Sequence, residues 1–560
     1  MVYSKGVLKF AKNSRKAAGK LNSLDWGVIA LYVAVIVGAG FYFGRAHKTI
    51  QDYYLGGRTV LWWQSGLSTM ATQLGAISFV SAPAFVAVKE NGGLKWLAYE
   101  FGVPLALILV MAVILPTFHR AKVISIYEYL EIRFDEGTRT LVSLFFQIGR
   151  GLATAVAVLA GGLILSTAFG ISTASAIIAV GAITILYDVL GGIRVVIFTD
   201  VIQMAIILLG IALCGGIALA LVGWGAAWAS LEPQRLEILD FSHWGLTPEG
   251  TYGFWPMTIG GFFLYASYYG CDQSQVQREL TVGSIDNVRK SLLVNAFGRF
   301  PIVLLYCLMG VFVGAVVAEP SFLVRAGETL GLGEEGVRAA LERDPDRLVP
   351  MFILTYLPHG LIGFIFVAIL SALMSSLDSA LNSMSAVTVR DFYQRYWKKN
   401  GDERHYLLAS KICTSLWGIF CVGFALLFAG TPEATRQTTI VLINAIGSLL
   451  YGPILATFIL GMMTRWAAPR GTKIGVLAGV GLNLALWQWT SLSWLWWNLT
   501  GFAATLVVAA LSSAWETGAR RTERLQPLEP TRIRWPRIYA YVALYFLFIV
   551  GLCGFAETAL

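Results

Sequence analysis

Apolar residues run in stretches of membrane-span length from Asp25 to the C-terminus, separated by short polar interruptions. Fourteen such stretches can be drawn, starting near Asp25, Trp62, Leu94, Leu141, Ser172, Val195, Tyr252, Leu292, Met351, Leu407, Thr438, Thr472, Ser493 and Ile538. Crossing the ~30 Å hydrocarbon layer takes roughly 20 predominantly apolar residues. Lipid offers the backbone no hydrogen bonds, so these stretches are predicted to be helices. The pattern therefore predicts an all-α multi-pass membrane protein with about 14 transmembrane helices. Between Pro320 and Leu348 lies the longest external insertion, read as short surface helices, and Glu516 to Pro536 reads as a cytoplasmic linker before a detachable last span.

Composition agrees: 56% of the 560 residues are hydrophobic and 13% charged, too apolar for a soluble surface. The net charge of +9 does not indicate nucleic acid, because the basic residues sit in particular loops, with no recognisable nucleic-acid motif. Placing the Arg120/Lys122/Arg133/Arg139 loop in the cytoplasm brings four other clusters inside. These are Arg278/Arg289/Lys290, the Arg390 to Arg404 group, Arg465/Arg470/Lys473 and the Arg520 to Arg537 group. Both termini then lie outside, against which stands the basic N-terminal tail with Lys5, Lys9, Lys12, Arg15, Lys16 and Lys20. The six cysteines lack metal-ligand spacing and read as small apolar fillers. Asn498 with Thr500 spells a sequon inside an apolar run and reads as chance. No HExxH, GxSxG, phosphate-cradling glycine loop or histidine cluster is present, so a membrane enzyme is not expected.

Ionisable residues at mid-span depth are functional candidates by default. Arg150 lies eleven residues past Arg139, about 16 Å into the membrane at the helical rise. Arg299 lies nine past Lys290, roughly 14 Å in. Asp200, Asp378 and Glu100 also fall inside apolar stretches, and pairing among these charges to fix helix packing is the bland alternative. The stretch from Trp62 mixes Gly, Ser, Thr and Gln and carries Pro83. Unwinding around Gln73 to Ser78 would free carbonyls for a ligand. Close packing through small residues explains the same composition equally well. In LSALMSSLDSALNS, Ala372, Ser375, Ser376, Ser379 and Ser383 fall on one helical face with Asp378 bordering it. Hydroxyls beside a carboxylate suit a small hard cation, and the carboxylate favours an ion site over plain helix association.

Five separated segments carry a family resemblance: DYYLGGR from Asp52, ATQLGAISF from Ala71, GGIRVVIFTDVIQ from Gly191, SSLDSALNS from Ser375 and YGPILATFILGMMTRWAAPRGTKIG from Tyr451. In order and spacing they resemble the sodium:solute symporter family, which includes sodium–glucose, sodium–proline and sodium–sialic acid cotransporters. The resemblance implies a leucine-transporter-type fold of two inverted five-helix repeats. Residues 62–222 would form the first repeat and 252–463 the second. Around them would lie a tail (1–24), a leading helix (25–44), two peripheral helices (472–515), the linker (516–536) and a last helix (537–560).

Carried over residue by residue, the resemblance implies a common sodium site on the carbonyls of Ala71, Leu74 and Ala372 with the hydroxyls of Ser375 and Ser376. A second sodium site would involve Asp200, Ser375, Asp378 and Ser379. There Asp378 departs from the usual small residue and either strengthens the site or lets a proton take part. Asp188 stands where the family often has a hydroxyl, with its role open. Solute-binding positions by match are Gln73, Gly75 and Ser78 on one broken helix and Tyr265, Tyr268 and Tyr269 on the other. Tyr268 resembles the inner gate tyrosine of sugar-transporting members, and Arg299 takes the place of a lysine there. Arg150, with Gln147 three residues before it, resembles the arginine that holds the carboxylate in the sialic acid branch; a guanidinium is a good bidentate clamp for that group.

The expected function is sodium-coupled uptake of a small polar solute by alternating access, leaning to a sialic acid or other organic acid. Sugar or amino-acid uptake is the alternative, with a proton-coupled transporter or a sensor more remote. The expected partners are sodium ions, the solute and the bilayer, with no nucleic acid and no obligatory protein partner. The expected location is the plasma membrane, as in a bacterial inner membrane. One charge moved through 100 mV is worth about 2.3 kcal/mol and a tenfold gradient about 1.4 kcal/mol. Two sodium ions could therefore supply roughly 7 kcal/mol per solute.

Overall fold

The computed structural model describes residues 21–45, 48–429, 439–516 and 531–559. The N-terminal lysines and most of the 516–536 linker lie outside the described residues. No β-strand occurs among those described.

Among the described residues ten helices are long and apolar enough to cross a bilayer, and an eleventh span is the pair α2 (Trp62–Gln73) and α3 (Ala76–Ala87), bent by 53°. In front of it stands α1 (Ser23–Gly44). After it come α4 (Leu94–Ala121), α5 (Glu136–Phe169) and α6 (Thr173–Val222). At 50 residues α6 is far too long for one crossing. It breaks into two helices at Gly192, whose φ of 54° and ψ of −159° leave the helical region. A Cβ at Gly192 would stand 2.8 Å from Tyr53, so this turn needs glycine both for its dihedrals and for its neighbour.

The second broken span is α7 (Gly261–Cys271) and α8 (Gln273–Glu279), parted by an extended Asp272. Then follow α9 (Ile285–Ala318), α10 (Leu361–Val387), α11 (Glu403–Phe428), α12 (Thr439–Met463), α13 (Pro469–Trp489), α14 (Trp494–Ala514) and α15 (Trp535–Ala559). Counted with the two halves of α6, the α7/α8 pair and α13, the helices correspond to the fourteen apolar stretches. Short helices Pro320–Leu330 and Gly333–Arg343 occupy the expected insertion. Asn498 is buried and its amide donates to Ser448 Oγ at 2.9 Å, as befits a sequon inside a helix.

Helix α10 forms the centre of the packing, against α5, α6 and both halves of the first broken span. Its apolar residues, such as Ile365, Phe366 and Leu373, are fully or almost fully buried. Several loop cations are paired: Arg390 with Glu128 at 3.0 Å, Arg395 with Glu131 at 2.8 Å and Arg139 with Asp391 at 2.9 Å. These ties hold the short helix Glu128–Arg133 and the start of α5 to the segment Thr388–Trp397 that follows α10.

Arg278 contradicts its assignment to a cytoplasmic basic cluster. It is 1% exposed, on α8, in the middle of the molecule. The polar run Gln273–Glu279 looks like a loop to hydropathy, yet it is the buried second half of a broken span.

Candidate cation and solute sites

The first break falls between Gln73 and Ala76. Leu74 has φ −88° and ψ 63°, which ends α2, and Gly75 is extended. Helix α10 closes on this break from the other repeat. Ser375 Oγ donates towards the Ala71 and Ala372 carbonyls at 3.3 and 3.2 Å. Ser376 Oγ donates towards the Thr72 and Ala372 carbonyls at 3.2 and 3.3 Å. A Cβ on Gly75 would lie 2.9 Å from Ser376 Oγ, so the approach needs a residue without a side chain. Ala71, Ala372, Ser375 and Ser376 thus meet at one place, with buried Leu74 at the break itself. Thr72, not among the predicted positions, offers another carbonyl. Neutral oxygens converging without a carboxylate suit a weakly charged, dehydrated alkali ion.

Next to this point lies a cavity of about 140 Å³. Gln73, Gly75, Ser78, Arg150, Tyr265, Tyr268 and Arg299 line it, seven of the eight predicted solute residues. Tyr269 stands behind the wall, 3.1 Å from Gln73 Oε1 and 3.2 Å from Asn295 Oδ1. Ser376 also faces the cavity, so one hydroxyl borders both the cation point and the solute space. Trp96, Tyr99, Glu100, Tyr306 and Tyr451 complete much of the wall. Of these the sequence singled out only Glu100, because an aromatic residue in a span carries no mark of facing a cavity.

The two candidate arginines differ. Arg299 grips Glu100 with two bonds, Nε to Oε2 at 3.0 Å and Nη2 to Oε1 at 3.2 Å. Tyr265 adds a third bond to Oε1 at 2.8 Å. Here the bland reading of mid-span charge holds: Arg299 is neutralised within the wall. Arg150 touches the Tyr268 hydroxyl at 3.3 Å and stands 3.6 Å from Asp272 Oδ2, beyond hydrogen-bond reach. Its Nε is buried without a hydrogen-bond partner.

Below the cation point the second predicted set gathers around Arg278. The guanidinium reaches Asp200 Oδ2 at 3.2 Å and Ser68 Oγ at 2.8 Å, and it also donates to Ser379 Oγ and the Ser274 carbonyl. Ser68 Oγ donates to Asp200 Oδ2 at 2.5 Å. Asp378 turns to Tyr187, whose hydroxyl donates to it at 2.5 Å. Asp188 accepts from Asn382 at 3.4 Å. Asp188, Asp200 and Asp378 are all fully buried. Of these three carboxylates the guanidinium pairs directly only with Asp200, and Asp200 Oδ1 and Asp188 Oδ2 have no hydrogen-bond partner.

A profile described as "Sodium:solute symporter family" matches residues 53–479. The chain belongs to that family. Symporters similar to it include the human sodium/iodide cotransporter, 29% identical over 477 residues that cover 84% of this chain and 69% of the relative. Another is sodium-coupled monocarboxylate transporter 1 of Xenopus laevis, 28% identical over 475 residues, 83% of this chain and 72% of the relative. Among solved structures, a substrate-bound outward-open sodium-coupled sialic acid symporter superposes with a TM-score of 0.79 at 26% identity, covering 90% of this chain and all of that one. This symporter accordingly has the leucine-transporter-type fold, spans the membrane many times and takes sodium as its coupled ion.

Proposed function

We propose that the protein is a plasma-membrane symporter that uses the inward sodium gradient to accumulate a small organic carboxylate. The observation that carries this reading is Arg150: a guanidinium lining the cavity, with a free buried donor and no saturating counter-ion. A carboxylate meets it with two charge-assisted hydrogen bonds, whereas a neutral sugar leaves a buried cation underused. The relatives above include carriers named for anions, which supports the same class. A cavity of about 140 Å³ is close to the ~150 Å³ that admits a benzene-sized molecule. Arg299, neutralised by Glu100, shapes the wall and does not clamp the solute.

In the proposed cycle, sodium joins the carbonyls of Ala71, Leu74 and Ala372 to Ser375 and Ser376, which holds α2, α3 and α10 in one arrangement. The cavity wall at Gln73, Gly75, Ser78 and Ser376 is then set for the solute. Each ligand favours the state that the other needs, so the coupling is reciprocal. A second sodium shares Asp200, Ser375, Asp378 and Ser379 with Arg278. The excess of buried carboxylate over guanidinium there supports it, since unpaired charge in a low-dielectric core is costly.

The test is uptake into proteoliposomes, with purified protein also screened by thermal shift. Lactate, benzoate, N-acetylneuraminate, glucose and proline are each tried in sodium, potassium and choline. Sodium-dependent stabilisation and accumulation are expected with the small acids. Equal accumulation of any of these solutes in choline and in sodium, without a pH gradient, would sink the sodium-coupled reading. A response to glucose alone would sink the carboxylate.

A further inference from the structure

Asp272 lies at the break of the second broken span, and its two oxygens have different employment. Oδ1 caps α8, accepting from Ser274 N at 2.8 Å and Ser274 Oγ at 2.6 Å. Oδ2 is buried, 3.6 Å from Arg150 Nη1, and makes no hydrogen bond. Neither partner in this pair is saturated. The Arg299–Glu100 pair, in the wall of the solute cavity, makes two direct bonds.

The pair also straddles a partition. Arg150 and Tyr451 line the solute cavity on one side and a smaller cavity on the other, and Asp272 lines only the smaller one. A solute carboxylate in the larger cavity and Asp272 in the smaller one therefore border the same guanidinium. Two carboxylates sharing one guanidinium repel each other, and that repulsion is large where water is excluded.

We infer that Asp272 is a specificity-determining residue: a built-in counter-charge, 3.6 Å from Arg150 and not hydrogen-bonded to it, that opposes a solute carboxylate at the same guanidinium. It lowers affinity for all anions and holds Arg150 in orientation between cycles. Because Asp272 also caps α8, the solute's charge is felt at the break of the second broken span. The inference rests on the carboxylate reading of Arg150.

Asparagine and serine both cap helices without charge, so Asp272→Asn and Asp272→Ser remove the competitor and keep the cap. Binding of lactate and benzoate, each beside its neutral amide, is measured in sodium on purified protein by calorimetry. N-acetylneuraminate is tested alongside. Both variants are expected to bind the acids about tenfold more tightly and the amides unchanged. In the Arg150→Ala background, Asp272→Asn is expected to produce no such gain. Unchanged or weaker acid binding in a folded variant overturns the inference and leaves the carboxylate reading standing. Collapse of both variants also overturns it, by showing the pair to be structural. If the unmodified protein binds none of the acids, the carboxylate reading itself fails and this inference with it.

Discussion

Arg150 and Arg299 line one cavity, and each lies over a tyrosine ring, Tyr268 and Tyr265 respectively. Arg299 is bound by both oxygens of a fully buried glutamate, while Arg150 faces an aspartate that stays out of reach. Each arginine keeps one buried nitrogen without a hydrogen-bond partner, Arg150 Nε and Arg299 Nη1, but only Arg299 has its charge met by a directly bonded carboxylate. The other arginine is the one whose counter-ion has other work, since Asp272 spends an oxygen on a helix cap.

The strongest way to break this contrast is Glu100→Ala. Stranding Arg299 as an unpaired buried charge is expected to cost about 3–5 kcal/mol. The readout is a lowered unfolding midpoint and loss of monodisperse protein. Replacing both members, Glu100→Gln with Arg299→Gln, should recover most of the stability and retain acid binding. If the double variant is stable but binds no acid, Arg299 is the clamp after all.

Arg150→Ala is expected to weaken acid binding by about 100-fold, the scale of a charge-assisted pair of hydrogen bonds. The neutral amide should bind as before in the same calorimetric titration. Equal loss of acid and amide would mean a damaged cavity and not a missing clamp.

Smaller effects are expected at the cation points. Ser376→Ala removes one hydroxyl, worth about 1–1.5 kcal/mol, so the sodium concentration for half-maximal uptake should rise about tenfold. Unchanged sodium dependence would remove Ser376 from the site. Asp378→Ser should lower the Hill slope for sodium towards one with little change in solute affinity. An identical slope would leave Arg278 as the sole cation of the lower cluster.

Several features were legible before any coordinates. Glycine, serine and glutamine in an apolar stretch allowed a break near Leu74–Gly75 without deciding it against close helix packing, and the three-and-four spacing from Ala372 to Ser379 marked the face that meets it. Glu100, Asp200 and Asp378 stood out because charge inside a span is rare. Arg278 did not, because the run Gln273–Glu279 is as polar as a loop. Thr72, Tyr451 and Trp96 carry no local signature of lining a site.

Bilayer thickness sets the length of every span, so hydropathy was enough for the number and order of helices and for the class of fold. Local spacing was enough for the hydroxyl row. Which charges meet was a matter of packing alone: Glu100 finds Arg299 across 199 residues of chain, and Asp200 finds Arg278 across 78. A residue's depth follows from its place in one helix, but its partner follows from the angle and register between two. That is why the two arginines looked alike along the chain and differ in the folded protein.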